Sequence, residues 1–239
     1  MFNYALVIGA IATIVFLILR IKMGGLAAAT AKACASVSFI AVACAAVFDR
    51  LSDPSPIVIN HTFNRWSLFV ILGLVCGLLG DVWLDFKYAF IEKSDKFTFG
   101  GFAFFLAGHL LYLVAIYNTM SFSLISVYIA IALAAIFALF TVFGERKLGL
   151  KLGKFKAISA VYLAILAYFT VIAGGAAVQS SFAKGPVLMF VGALFFLISD
   201  FILSGTYFGE NKNTKAYVLW NHIFYYAAQF LIASSLLFI

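Results

Sequence analysis

Charge is what this chain has least of. Of its 239 residues 10% are charged, and nine are acidic. A soluble domain carries about 25% charged residues, so this chain cannot cover a surface that faces water. An ordinary soluble fold is excluded. Cysteine is scarce too: Cys34, Cys44 and Cys76 are odd in number, unclustered and set in apolar runs. That speaks against a disulfide framework or a cysteine metal site and for small packing residues. Of the three histidines, His61 falls in an expected loop, leaving His109 and His222, too few for a three-histidine zinc site. No Ser-His-Asp set, Gly-x-Ser-x-Gly elbow or phosphate-binding loop is visible. The alternating ten-residue segments of an outer-membrane barrel are missing as well.

What is present is apolar. Hydrophobic residues make up 65% of the chain, and the mean hydropathy is +1.12. The expected fold is all-α: a polytopic membrane protein built as a bundle of eight transmembrane helices. The helices are expected near 2–20, 25–48, 66–86, 98–118, 121–142, 155–177, 185–207 and 216–238. The loops between them are short, so residues 1–239 read as one transmembrane domain. The first run lacks a basic segment before it, and Arg20 and Lys22 follow it, so it reads as a retained helix rather than a signal peptide.

The net charge of +7 does not call for nucleic acid as a partner. Loop by loop, twelve cations fall on one side: Arg20, Lys22, Lys87, Lys93, Lys96, Arg146, Lys147, Lys151, Lys154, Lys156, Lys212 and Lys215. Three fall on the other: Arg50, Arg65 and Lys184. The positive-inside rule makes the first side cytoplasmic and puts both termini on the non-cytoplasmic side.

Against this background two acids stand out, Asp81 in Gly80-Asp81-Val82-Trp83-Leu84 and Asp200 in Ser199-Asp200-Phe201. A carboxylate deep in a membrane helix costs roughly 2.5–3.5 kcal/mol on insertion scales and marks a functional site by default. Each lies 15 residues into a helix running inward, from Trp66 and from Gly185, or roughly 22 Å at 1.5 Å per residue. Lys32, His109, Asn221 and Tyr225 fall in the same layer on helices running outward. Six polar groups from five helices at one depth imply one polar cavity opening toward the cytoplasmic leaflet. Gly73, Gly77, Asp81 and Asp85 recur at four-residue steps, placing Asp81 on a packed helix face, with Asp85 read as a helix-end charge. Asn221, Tyr225 and Gln229 form a similar stripe, flanked by Tyr226. Lys32 has two readings: its stem snorkels to the interface, or it serves Asp81, Asp200 or a phosphate. His109 is either a buried histidine satisfied by a neighbour or part of the cavity. The Asp81 and Asp200 segments are also weakly alike, which raises a repeat of residues 1–118 and 119–239.

Two carboxyls in one buried cavity suggest acid/base chemistry, because burial favours the neutral acid while a nearby cation or hydrogen-bond donors keep a partner ionised. Paired intramembrane acids and a lysine also fit a proton-coupled transporter, although helix pairs interrupted by Gly or Pro are not evident.

The segments Gly80-Asp81-Val82-Trp83-Leu84, Gly108-His109-Leu110-Leu111-Tyr112, Gly192 to Asp200 and Tyr225-Tyr226-Ala227-Ala228-Gln229 resemble, in order and spacing, the YhhN-like lysoplasmalogenase family. The resemblance covers nearly the whole chain. One departure is that Lys32 is followed by Ala33, where the family usually has Pro. The resemblance implies an integral-membrane hydrolase that cleaves the vinyl ether bond of lysoplasmalogens to a fatty aldehyde and glycerophosphoethanolamine or glycerophosphocholine. It implies Asp81 and Asp200 as the acid/base pair. Lys32, His109, Tyr112, Asn221, Tyr225, Tyr226 and Gln229 would contact the substrate. No metal or organic cofactor is implied. The expected location is a bacterial inner membrane, with a eukaryotic endomembrane as the other reading.

Overall fold

A computed structural model of the chain describes residues 1–52, 61–210 and 213–239. Eight α-helices run through them: α1 (Phe2–Lys22), α2 (Gly25–Leu51), α3 (His61–Ala89), α4 (Ser94–Thr119), α5 (Leu124–Gly144), α6 (Lys156–Gln179), α7 (Lys184–Phe208) and α8 (Lys215–Ser235). Among the described residues there is no strand, only an isolated bridge between Leu150 and Gly209. Helices are what so apolar a chain can form in lipid, because each satisfies its own backbone hydrogen bonds.

Seven of these helices are long and apolar enough to cross a membrane, and the chain is an integral membrane protein of the helical-bundle type. The helix that falls outside this set is α8. Asn221, His222, Tyr225, Tyr226 and Gln229 lower its hydropathy, and all of these except half-buried His222 are buried inside the bundle. By contrast α5 is apolar all round and buries only Ala130 and Gly144, so its side chains face outward. Hydrophobicity here reports contact with lipid, and polarity reports the interior.

Helices adjacent in sequence pack in pairs: α1 on α2, α3 on α4, α5 on α6, α7 on α8. Further contacts of α2 with α3, α6 with α7, α4 with α6 and α2 with α8 close the bundle. Two of the expected boundaries move. α3 runs from His61 to Ala89 rather than over 66–86, and α2 continues to Leu51, so Asp49, Arg50 and Arg65 are helical. Pro54 and Pro56, in the expected loop between them, lie outside the described residues, as does the side chain of His61. The cysteines are not core packing residues: Cys34 and Cys44 are exposed and Cys76 is half-buried.

The two ends of the bundle differ. At one, the N-terminal ammonium sits 2.9 Å from Asp49 and the Arg50 side chain donates to the Ile239 carbonyl at 3.1 Å. At the other lie Arg20 and Lys22 of α1, Lys87 of α3, Lys215 of α8 and the cations of the α5–α6 loop. There Lys154 pairs with Asp95, Lys156 with Glu145, and Lys151 with Glu210 at 2.5 Å.

Candidate active site

The four-residue stripe on α3 places Asp81 and Asp85 one above the other, facing α1, α2 and α8. Asp81 is 2% exposed. Its Oδ2 accepts hydrogen bonds from Ser36 Oγ and Tyr225 OH, both at 2.6 Å, and Lys32 Nζ lies 3.0 Å from its Oδ1. Lys32 and Ser36 are one turn apart on α2, so a single helix face supplies both. Lys32 is 6% exposed and also stands 3.7 Å from Asp85, so it does not snorkel to the interface. Asp85 is not a surface helix-end charge as expected. It is 4% exposed, and Arg20 Nη2 lies 2.6 and 2.5 Å from its two oxygens.

Arg20, Asp85, Lys32 and Asp81 thus form a chain of alternating charge whose formal sum is zero. Alternation is what makes such burial tolerable, because an unpaired ion in the interior loses its hydration with nothing in return. A second layer fixes the donors. Gln229 Nε2 donates to Tyr225 OH at 3.1 Å, and Tyr112 OH donates to Gln229 Oε1 at 3.2 Å. Tyr226 OH lies 3.1 Å from Ser36 Oγ and 3.3 Å from the Lys32 carbonyl, to which it donates.

Asp200 has a different environment. It is half-buried on α7, and its carboxylate accepts a hydrogen bond from Tyr162 of α6. Among the described residues it has no ion pair. One turn of α7 is pinned beside it: Asn221 Nδ2 donates to both the carbonyl and Oγ of Ser199 at 2.9 Å. The two acids nonetheless meet. Asp81, Asp85, Lys32, Arg20, Asn221, Tyr225 and Asp200 all line one cavity.

Of the candidates from sequence, Lys32, Tyr112, Tyr225, Tyr226 and Gln229 therefore gather around Asp81, while Asn221 stands beside Asp200. His109 is buried but lines no part of this cavity. Its ring packs against Tyr112, Tyr162, Phe169 and Phe196, with the Phe196 centroid 4.6 Å away, and among the described residues its Nδ1 has no hydrogen-bond partner. The sequence reading missed Ser36, Asp85, Arg20 and Tyr162. The four-residue steps from Lys32 to Ser36 and from Asp81 to Asp85 were available signals. Tyr162 had none, since only the packing of α6 on α7 brings it to Asp200. No cluster of three or more metal-binding side chains occurs among the described residues.

The fold and site define a class: a helical membrane bundle whose core holds a compensated ion chain and, at the same cavity, a second carboxyl with no ion pair among the described residues. A protein-family model described as the YhhN family matches residues 55–236. The chain belongs to the YhhN family. Membership suggests lysoplasmalogenase-type activity at the level of the family. No curated protein and no solved structure matches the chain.

Proposed function

We propose that the protein is a lysoplasmalogenase, hydrolysing the vinyl ether bond of a 1-alkenyl lysophospholipid by acid/base catalysis between Asp200 and Asp81. The observation that carries this is the contrast between two carboxyls in one cavity. Asp81 has a cation and two hydroxyl donors, which compensate a negative charge. Among the described residues Asp200 has one hydroxyl donor and no ion pair, the less compensated setting of the two for a negative charge. Asp200 is therefore the proton donor and Asp81 the ionised partner.

The reaction uses both states. Asp200 gives its proton to the second carbon of the alkenyl chain, and the double-bond electrons form that C–H bond. The first carbon and its ether oxygen become an oxocarbenium ion. Asp81 stabilises this cation and takes a proton from the water that attacks the first carbon. As the hemiacetal breaks its bond to the glycerol oxygen, Asp81 returns its proton to that oxygen and Asp200 takes the hydroxyl proton, giving a fatty aldehyde and glycerophosphoethanolamine or glycerophosphocholine and restoring both carboxyls. Two carboxyls flanking an oxocarbenium ion is also the logic of glycosidases. The positive-inside rule puts the cation-rich end, where Arg20 lines the cavity, on the cytoplasmic side and both termini opposite.

The test is aldehyde release by purified protein in detergent, given a lysoplasmalogen or its saturated ether analogue. Consumption of the first alone is expected, with D81N and D200N each folded and inactive. A carrier would consume neither lipid. Full activity in D81N or D200N would overturn the assignment.

A further inference from the structure

Beside the polar cavity lies a second one, walled by α4, α5, α6 and α7 and floored by the loop from Leu148 to Leu152. Its walls are mainly Phe and Leu, among them Phe102, Phe140, Leu163 and Phe201. The two cavities adjoin: Leu84, Phe105, Asp200, Leu203 and Tyr207 line both. Asp200 is the one carboxyl at that seam. Tyr207 is held there by the Lys87 ammonium, 3.1 Å from its ring centroid.

The apolar cavity also has a side that faces lipid. α5 packs on α6 and touches α7 through Phe137 and Phe201, whose ring centroids are 5.7 Å apart. At that seam the lining residues Phe140 and Phe201 are 42% and 39% exposed. A polar cavity adjoining an apolar one, with part of the apolar lining exposed between membrane helices, matches an amphiphile in both halves.

We propose that the second cavity binds the single hydrocarbon tail of a lipid drawn laterally from the bilayer between α5 and α7. The polar head then occupies the cavity of Asp81, Lys32 and Arg20, and the bond joining head to tail lies at Asp200. One apolar chamber adjoins the polar one. The other apolar groove, between Tyr4 and Phe48 on α1 and α2, shares no lining residue with either. The position of the scissile bond rests on the hydrolase reading; the tail site does not.

The test is a photolabel, a saturated 1-alkyl ether lysophospholipid with a diazirine in the distal tail, which cannot undergo the reaction. After irradiation with the protein in nanodiscs, labelled residues are read by mass spectrometry. Label on Phe140, Leu163 or Phe201 is expected, equally in wild type and D200N. L163W, which fills the chamber, is expected to take up label roughly tenfold less, as pockets discriminate by volume. Should L163W not elute as folded protein, Ser204→Phe serves in its place. Label confined to outward residues of α1 such as Ile14, label in the Phe48 groove, no label, or full labelling of the filled chamber would each overturn the tail site. Failure of the hydrolase reading looks different: the chamber is labelled and no aldehyde forms from the alkenyl lipid.

Discussion

Lys32 is buried against two carboxylates, so its removal leaves an excess negative charge inside the bundle. Breaking a buried pair costs about 3–5 kcal/mol, most of it for the partner left behind. K32M is expected to lower the melting temperature in detergent clearly, and K32M combined with D81N to lower it less than K32M alone. Additive losses would mean that the pair is not coupled. Tyr162 is the donor to Asp200, and a hydrogen bond to an ionisable group is worth about 1.5–3 kcal/mol. Y162F is expected to reduce kcat roughly tenfold or more with KM little changed, whereas a wild-type kcat would show that Tyr162 does not position the acid. The carboxyls were legible in the sequence because an acid in an apolar run is anomalous by itself. The hydroxyls were not, because Ser36 and Tyr162 belong to types common in membrane helices and gain a role only through the helix packed opposite. Asp85 was misread because α3 was expected to end at residue 86. The helix continues to Ala89, and Arg20 of α1 reaches back over that last turn.

At the scale of the element, α3 and α8 bring the acid to its donors by approaching closely. A Cβ at Gly77 would lie 2.5 Å from Gln229 Nε2, so even alanine forces the amide that orients Tyr225 to move. G77V is expected to cost about 1–3 kcal/mol of stability by overpacking and to reduce aldehyde release further than that loss accounts for. Unchanged activity would separate the Tyr112–Gln229–Tyr225 chain from catalysis. The loop after α5 holds the floor of the apolar chamber through Glu145. Lys156 and the Leu152 N–H, which donates at 3.1 Å, hold this carboxyl below its ordinary value of 4.5. Its contribution is present above that value and lost as pH falls through the lower, folded one. Proteolysis of the loop should therefore rise in acid, and E145Q should show the acid-state susceptibility already at neutral pH. Hydropathy gave the helices themselves, and missed their ends where α2 and α3 run past the apolar window. It also understates α8, the most polar helix, because interior helices of this bundle carry the chemistry while α5 carries the grease.

The site belongs to the whole molecule. Asp81 takes its donors from α2 and α8 and Asp200 takes its donor from α6, so residues 1–118 alone would leave Asp81 without Tyr225 and the cavity without its second acid. The cation excess at one end carries the orientation. A reporter fused at the C-terminus is expected to be active only on the non-cytoplasmic side, and one placed in the loop near Lys154 only in the cytoplasm; the reverse pattern would invert the access side of the cavity. The central claim is that a buried carboxyl protonates carbon, and turnover in deuterium oxide reads it directly. With the aldehyde reduced as it forms and analysed by mass spectrometry, carbon protonation from Asp200 predicts a single deuterium on the second carbon of the product, and no product from D200N. Aldehyde without deuterium at that carbon, or deuterated aldehyde released at full rate by D200N, would contradict it.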